Sequence, residues 1–210
     1  MLYLVKTPPL LQRLLPTARF VVPDAPKTIF LTFDDGPTPM VTPWVLRVLA
    51  DYQATATFFC IGRNIARHPE IFREVVDAGH SVGNHTYDHL DGWKTTRRSY
   101  LDNVLQCDPL LPGRLFRPPF GRLTPGQWKQ LHCQRSVIFW DVLSGDFDTA
   151  RTAGQCLADV TNHAAGGSIV VFHDSRQAAP RLFGALPGVL EHFSRRGFRF
   201  EGLANRTGTP

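Results

Sequence analysis

Nothing in this chain reaches transmembrane length. Cysteine is sparse as well: Cys60, Cys107, Cys133 and Cys156 lie far apart and form no CxxC pair. That removes the common zinc-ribbon and thiol-redox motifs, and leaves Cys60 and Cys156 as expected buried small hydrophobes. At 210 residues one α/β domain can hold a core without disulfides. No basic stripe interleaves with aromatics, so the formal charge of +5 is no nucleic-acid footprint, although a polyanionic cell-wall polymer stays open as a partner. The N-terminus lacks a recognisable signal peptide, because Lys6, Pro8, Pro9 and Arg13 interrupt the apolar patch Leu10 to Leu15. A cytoplasmic chain is the expectation from that. No internal repeat, low-complexity segment or GxGxxG fingerprint is present.

What is there centres on Thr32-Phe33-Asp34-Asp35-Gly36-Pro37. An apolar run from Thr28 to Phe33 reads as a buried strand, and it delivers two adjacent carboxylates where Gly36 and Pro37 end the ladder. Neighbouring carboxylates repel, and burying them unpaired is costly, so a metal ion or an arginine is needed opposite them. Strand-like and helix-like runs then alternate about seven times. Helices are expected after Thr42 as N-cap, over Pro69 to Asp77, from Thr96 to Cys107 (stripe Tyr100, Leu101, Val104, Leu105), from Thr124, around Cys156 to Val160, and over Leu186 to Arg195. Strands are expected at Ala54 to Ile61, His80 to Gly83, Leu115 to Arg117, Val137 to Val142, Gly167 to Phe172 and Phe198 to Phe200. Such alternation predicts a parallel α/β fold. Polar chemistry follows many strand ends (Asp34, Asp35, His85, His89, Arg117, Asp141, His173), which favours a closed barrel over an open sheet with one switch point. The expected organisation is one catalytic domain over residues 28–202, an N-terminal extension over 1–27 and a frayed tail over 203–210.

His85 and His89 are separated by three residues, an i,i+4 spacing that places two imidazoles on one side of a helical turn. Taken alone, such a pair is more often a surface or core feature than a ligand pair. With Asp35 it becomes two histidines and a carboxylate, an open catalytic metal set best matched to Zn2+, with cobalt, nickel or iron also compatible. Asp34 is then left as general base toward a water held by that metal. Arg117 would keep Asp34 ionised; the alternative is a surface salt bridge of little worth. His173 ends a very apolar strand, where a histidine bonded to a backbone carbonyl is the plainer alternative.

Five motifs in order, Thr32 to Pro37, His85-Thr86-Tyr87-Asp88-His89, Arg117-Pro118-Pro119-Phe120, Trp140 to Phe147 and Val171-Phe172-His173, make the chain resemble the NodB-homology polysaccharide deacetylases, carbohydrate esterase family 4. The resemblance spans roughly Thr28 to Gly202. It implies a distorted (β/α)7 barrel, single domain, that hydrolyses N-acetyl groups of N-acetylglucosamine-type polysaccharides such as peptidoglycan or chitin-like oligomers, with one divalent metal (Zn2+, or Co2+ or Ni2+). It implies Asp35, His85 and His89 as metal ligands, Asp34 as base, Arg117 as its partner and His173 as the acid that protonates the leaving amine. A backbone N–H near Phe120 would help hold the oxyanion. Pro119, Phe120, Trp140, Phe147 and Val171 are the implied substrate-binding residues, and a monomer is expected. Action outside the cytoplasm, in the periplasm or at the cell surface, is implied too, against the reading of the N-terminus.

Three positions depart from the family's pattern. Leu143 stands where an aspartate follows Trp-x-Val; Asp141, two residues earlier on the same strand face, is the expected substitute that tunes His173, with Asp146 the other acidic position. Phe147 stands where tryptophan is usual, and Val171 replaces a leucine. Trp93, Phe120 and Phe147 suit stacking on sugar faces or packing equally. Two other readings stand beside the leading one: a deacylase of a small intracellular N-acyl amino-sugar or amine, and a non-catalytic carbohydrate-binding relic. The full set of base, acid and metal ligands speaks against the relic.

Overall fold

The computed structural model describes residues 3–203; residues 204–210, most of the expected tail, lie outside the described residues. In chain order the elements are α1 (Pro9–Leu14), β1 (Thr28–Asp34), α2 (Val41–Asp51), β2 (Thr57–Cys60), α3 (Gly62–Arg67), α4 (Pro69–Asp77), β3 (Ser81–Asn84), α5 (Arg97–Cys107), β4 (Leu115–Phe116), α6 (Pro125–Leu131), β5 (Ser136–Val137), β6 (Val142–Leu143), α7 (Ala153–His163), β7 (Ile169–His173), α8 (Ala179–Ser194) and β8 (Arg199–Phe200). The strands run parallel in the order β5-β4-β3-β2-β1-β7-β6, with β8 paired to the start of β1. This curled sheet wrapped by helices is a distorted (β/α)7 barrel. No described helix is long and apolar enough to cross a membrane.

β1 lies at the centre and is buried along its whole length, which is why it reads as an apolar run rather than an alternation. Its two faces still differ. Phe30 joins Phe59, Leu115, Ile138 and Ile169 in one cluster inside the barrel. Ile29, Leu31 and Phe33 pack outward with Val45, Leu49, Leu186 and Val189 of α2 and α8. Two-residue alternation therefore sets Phe30, Thr32 and Asp34 on the inward face, and Asp34 is the one at the C-terminal rim. Leu203 belongs to the inner cluster too, so the chain is packed at a point expected to be frayed.

Several expectations are corrected. The single strand expected over Val137 to Val142 is two short strands, because the chain changes partner midway. The Ile138 N–H donates to Phe116 of β4, whereas those of Asp141 and Ser144 donate to Ile169 and Val171 of β7. The segment before β1 bridges this opening: the Arg19 N–H donates to Val137, the Thr7 N–H to Asp141, and the Leu143 N–H to Val5. α8 starts well before Leu186 and carries Pro187 inside it. Thr42 lies within α2 rather than capping it; its hydroxyl accepts from the Thr38 N–H and donates to Asp174. In α5 the buried stripe is Tyr100, Asn103, Val104 and Cys107, while Leu105 is exposed. Thr124 does cap α6, in a reciprocal capping box with Gln127.

Candidate active site

Asp34 ends β1 on the inward face, and Arg117 follows β4 across the barrel mouth. The guanidinium is wholly buried and fully engaged. One nitrogen donates to Asp34 Oδ1 at 2.7 Å and to Thr32 Oγ1 at 2.7 Å, and the others reach the carbonyls of Phe139 (3.0 Å) and Ile138 (3.4 Å). Its carbon lies 4.2 Å from the Phe59 ring centroid. A planar fork in a closed setting fixes direction as well as charge, so one oxygen of Asp34 is tied and the other is left for chemistry.

Asp35, His85 and His89 come together, with one possible ligand atom from each within 4.8 Å of the others. The histidines do not sit on a helical turn. They flank an irregular loop after β3 in which Thr86 (φ 63°) and His89 (φ 60°) are left-handed, and their rings stand 5.1 Å apart. Asp35 is left-handed as well, at φ 82°. Strained backbone of this kind persists where the surroundings over-determine it. Asn84 and Asn103 supply that constraint: Asn84 accepts from the Thr86 N–H, and Asn103 accepts from those of Tyr87 and Asp88.

The donor set fits a divalent metal. His85 Nδ1 lies 2.8 Å from the Arg117 carbonyl, so it carries the proton and leaves the Nε2 lone pair facing Asp35 Oδ1 at 3.7 Å. Burial pushes the His85 pKa down to about 4, so the ring is neutral near pH 7. Asp35 Oδ1 is buried and has no hydrogen bond, although His89 Nε2 lies 3.2 Å away. Burial works to raise the Asp35 pKa, yet His89, His173 and His85 hold it well below the usual carboxylate range. A bare imidazole nitrogen and an ionised oxygen facing one another repel; a cation between them removes the conflict.

His173 ends β7, in register with Asp34 on the neighbouring strand. Asp146 grips it twice: Oδ1 accepts from ring Nδ1 at 2.7 Å and Oδ2 from the backbone N–H at 2.8 Å. Burial would lower the His173 pKa, but Asp146, aided by Asp35 and Asp34, raises it to about 9. The partner of His173 is thus Asp146, which corrects the expectation for Asp141. Asp141 faces elsewhere, bonded to Lys6 at 2.6 Å and to the Ser168 hydroxyl. Alternation would relate Asp141 to Leu143 only along one continuous strand; after β6 the chain turns through Gly145 (φ 76°) and brings Asp146 back.

The walls are mixed. Pro119 is buried, Phe120 is exposed with its ring edge on His89 at 4.7 Å, and Trp140 packs under Gly121, where any Cβ would clash with the indole. Phe147 meets His173 edge-on at 5.3 Å. Val171 is buried on the strand that ends at His173. Three contributors escaped sequence reasoning. Tyr3 packs on Phe147 with ring centroids 4.9 Å apart. Asp174 lies beneath Gly36, where a Cβ would come within 2.0 Å of Oδ2; burial, opposed by Thr42 and aided by Asp35 and Asp34, raises its pKa to about 7. Asn103 had a visible signal, a polar residue on a buried helical stripe between Tyr100 and Cys107.

A family model described as polysaccharide deacetylase matches residues 22–132. A peptidoglycan-N-acetylglucosamine deacetylase of Bacillus cereus is 32% identical over 190 residues, covering 85% of this chain and 87% of its own. A chitooligosaccharide deacetylase of Azorhizobium caulinodans is 31% identical over 196 residues, covering 84% of this chain and 92% of its own. Among solved structures, a peptidoglycan N-acetylglucosamine deacetylase in complex with 4-naphthalen-1-yl-N-oxidanyl-benzamide superposes with a TM-score of 0.85 at 26% identity, covering 92% of this chain and 94% of that one.

Proposed function

The chain belongs to the polysaccharide deacetylase family, and from that premise we propose that it removes N-acetyl groups from N-acetylglucosamine-type chains, peptidoglycan or chitin-like oligomers, with a divalent metal held by Asp35, His85 and His89. The observation that carries the reading is the placing of a charge-held carboxylate, Asp34, beside an acid-competent imidazole, His173, at the same rim as that ligand trio. When bound, the ion supplies a Lewis acid that polarises the acetamide carbonyl and lowers the pKa of a water.

The chain's own groups do the rest. Asp34, oriented by Arg117 at one oxygen, takes a proton from the attacking water at the other. The Phe120 N–H is the donor proposed to meet the oxyanion of the tetrahedral intermediate. His173, kept protonated by Asp146, gives its Nε2 proton to the leaving amine as the carbon–nitrogen bond breaks. Acetate and a free amino-sugar result. The ligand in that relative's complex carries an N-oxidanyl amide, a chelating group by its own chemistry, which supports the proposed metal dependence.

The test is acetate release from N-acetylglucosamine oligomers, with zinc or cobalt added, after chelation, and in Asp34→Asn. Release that needs metal and vanishes in Asp34→Asn is the expected result. If metal binds at the trio and no oligomer yields acetate, polysaccharide deacetylation is wrong and small N-acyl amines become the substrates to assay.

A further inference from the structure

Asp146 sits where the sheet gives it little support. β6 ends at Leu143, Gly145 turns the chain at φ 76°, and the Asp146 N–H makes a long contact of 3.3 Å to the Ser144 hydroxyl. Yet its carboxylate accepts from His173 twice, at 2.7 and 2.8 Å, an arrangement that tolerates little displacement. The group that holds its backbone comes from another element. Arg181, in the first turn of α8, donates from Nε to the Asp146 carbonyl at 2.6 Å and from a terminal nitrogen to the Gln177 carbonyl. The Gln177 side chain in turn donates to the Phe147 carbonyl at 2.9 Å. Two consecutive carbonyls of the turn are pinned by residues at the opening of α8.

Arg181 stands against its local setting. It is only 9% exposed, and the bonds that engage it go to carbonyls, not to a carboxylate. A buried cation without a counter-charge is costly, and one in the first turn of a helix faces the positive end of the dipole. That end of a helix needs acceptors for its free N–H groups, and a guanidinium is donor only, so helix formation does not explain the residue. We propose that Arg181 is a positioning residue for the acid: by fixing the Asp146 backbone it keeps that carboxylate on His173 Nδ1–H, resting on the deacetylase reading for the role of the ring. The tautomer is then set, and Nε2 is left as the atom that gives its proton.

Positioning and charge predict opposite signs. Burial lowers the His173 pKa, and Asp146, with Asp35 and Asp34 at the end of β1, raises it to about 9. Asp146 has that effect only while it is aligned, so loss of alignment moves the titration of His173 to lower pH. The guanidinium's own charge disfavours a second cation nearby, so loss of charge alone moves it to higher pH.

The experiment is the pH profile of kcat/KM for acetate release from N-acetylglucosamine oligomers by the zinc-loaded protein, in wild type, Arg181→Gln and Arg181→Lys. The His173 ring is titrated by 15N NMR in the same three proteins. Arg181→Gln is expected to lower kcat roughly ten- to hundredfold with KM changed less than about twofold. The basic limb and the ring titration should move together to lower pH. Arg181→Lys keeps the charge and one donor, so it should show a smaller shift in the same direction, and it decides by itself where Arg181→Gln fails to fold. A titration that stays in place or moves to higher pH overturns the proposal, even where urea unfolding shows lost stability. A wild type that releases no acetate removes the deacetylase reading, and the ring titration still decides Arg181.

Discussion

Arg117 and Asp34 are a buried ion pair at the barrel mouth, so changing either should alter both stability and the proposed chemistry. Burial lowers the guanidinium's pKa, and Asp34 opposes that shift. Removing the cation alone leaves a carboxylate buried without its partner, so Arg117→Met should destabilise the fold by about 3–5 kcal/mol. Adding Asp34→Asn should recover much of that loss without recovering acetate release. Urea unfolding of the single and double variants checks this, and equal losses would mean that packing, not charge, dominates. The second residue-scale expectation concerns pH. In the proposed mechanism His173 is the acid, so the rate should fall as pH rises through its pKa, which burial would lower but Asp146 raises to about 9. Asp146→Asn removes that charge, so the basic limb of the kcat/KM profile should begin at lower pH. Asp141→Asn should leave the limb in place, since Asp141 bonds Lys6 and Ser168. A limb that moves with Asp141 instead would reverse the assignment.

At the scale of elements, the segment before β1 behaves as a strap. β5 and β6 are each two residues long and face different partners, and the strap supplies acceptors or donors to Val137, Phe139, Asp141 and Leu143 at that opening. It also brings Tyr3 against Phe147, which in turn meets His173. Deleting residues 1–7 should therefore speed hydrogen exchange at the Leu143 amide and lower kcat several-fold through Phe147. Unchanged protection at Leu143 would show the strap to be dispensable. Little of this was legible in the sequence, because irregular backbone that pairs across a gap leaves no period. Among the elements that read correctly, β1 and α4 carry a buried run or a strong apolar stripe, and α5 and α6 a capping threonine. The site divides in the same way. Asp34 and Asp35 were legible from local punctuation, whereas choosing Asp146 over Asp141 required knowing where the strand ends and turns at Gly145.

For the whole molecule, the proposed metal ligands Asp35, His85 and His89 link the ends of β1 and β3, and His85 is oriented by the carbonyl of Arg117 after β4. A ligand that binds only the folded arrangement stabilises it by mass action, by about 2.7 kcal/mol at a free concentration 100 times Kd. For a chain of this length, that corresponds to a rise in Tm of roughly 5–10 °C. Zinc should produce such a rise, and chelation should reverse it. Asp35→Ala should abolish the shift, because it removes the one carboxylate of the trio. Asp34→Asn should keep the shift yet lose acetate release, since Asp34 is not one of those three candidate ligands. These two variants separate binding from chemistry on the same strand end. A zinc shift that survives Asp35→Ala would move the ion away from the trio, and with it the case for Asp34 as the base beside it.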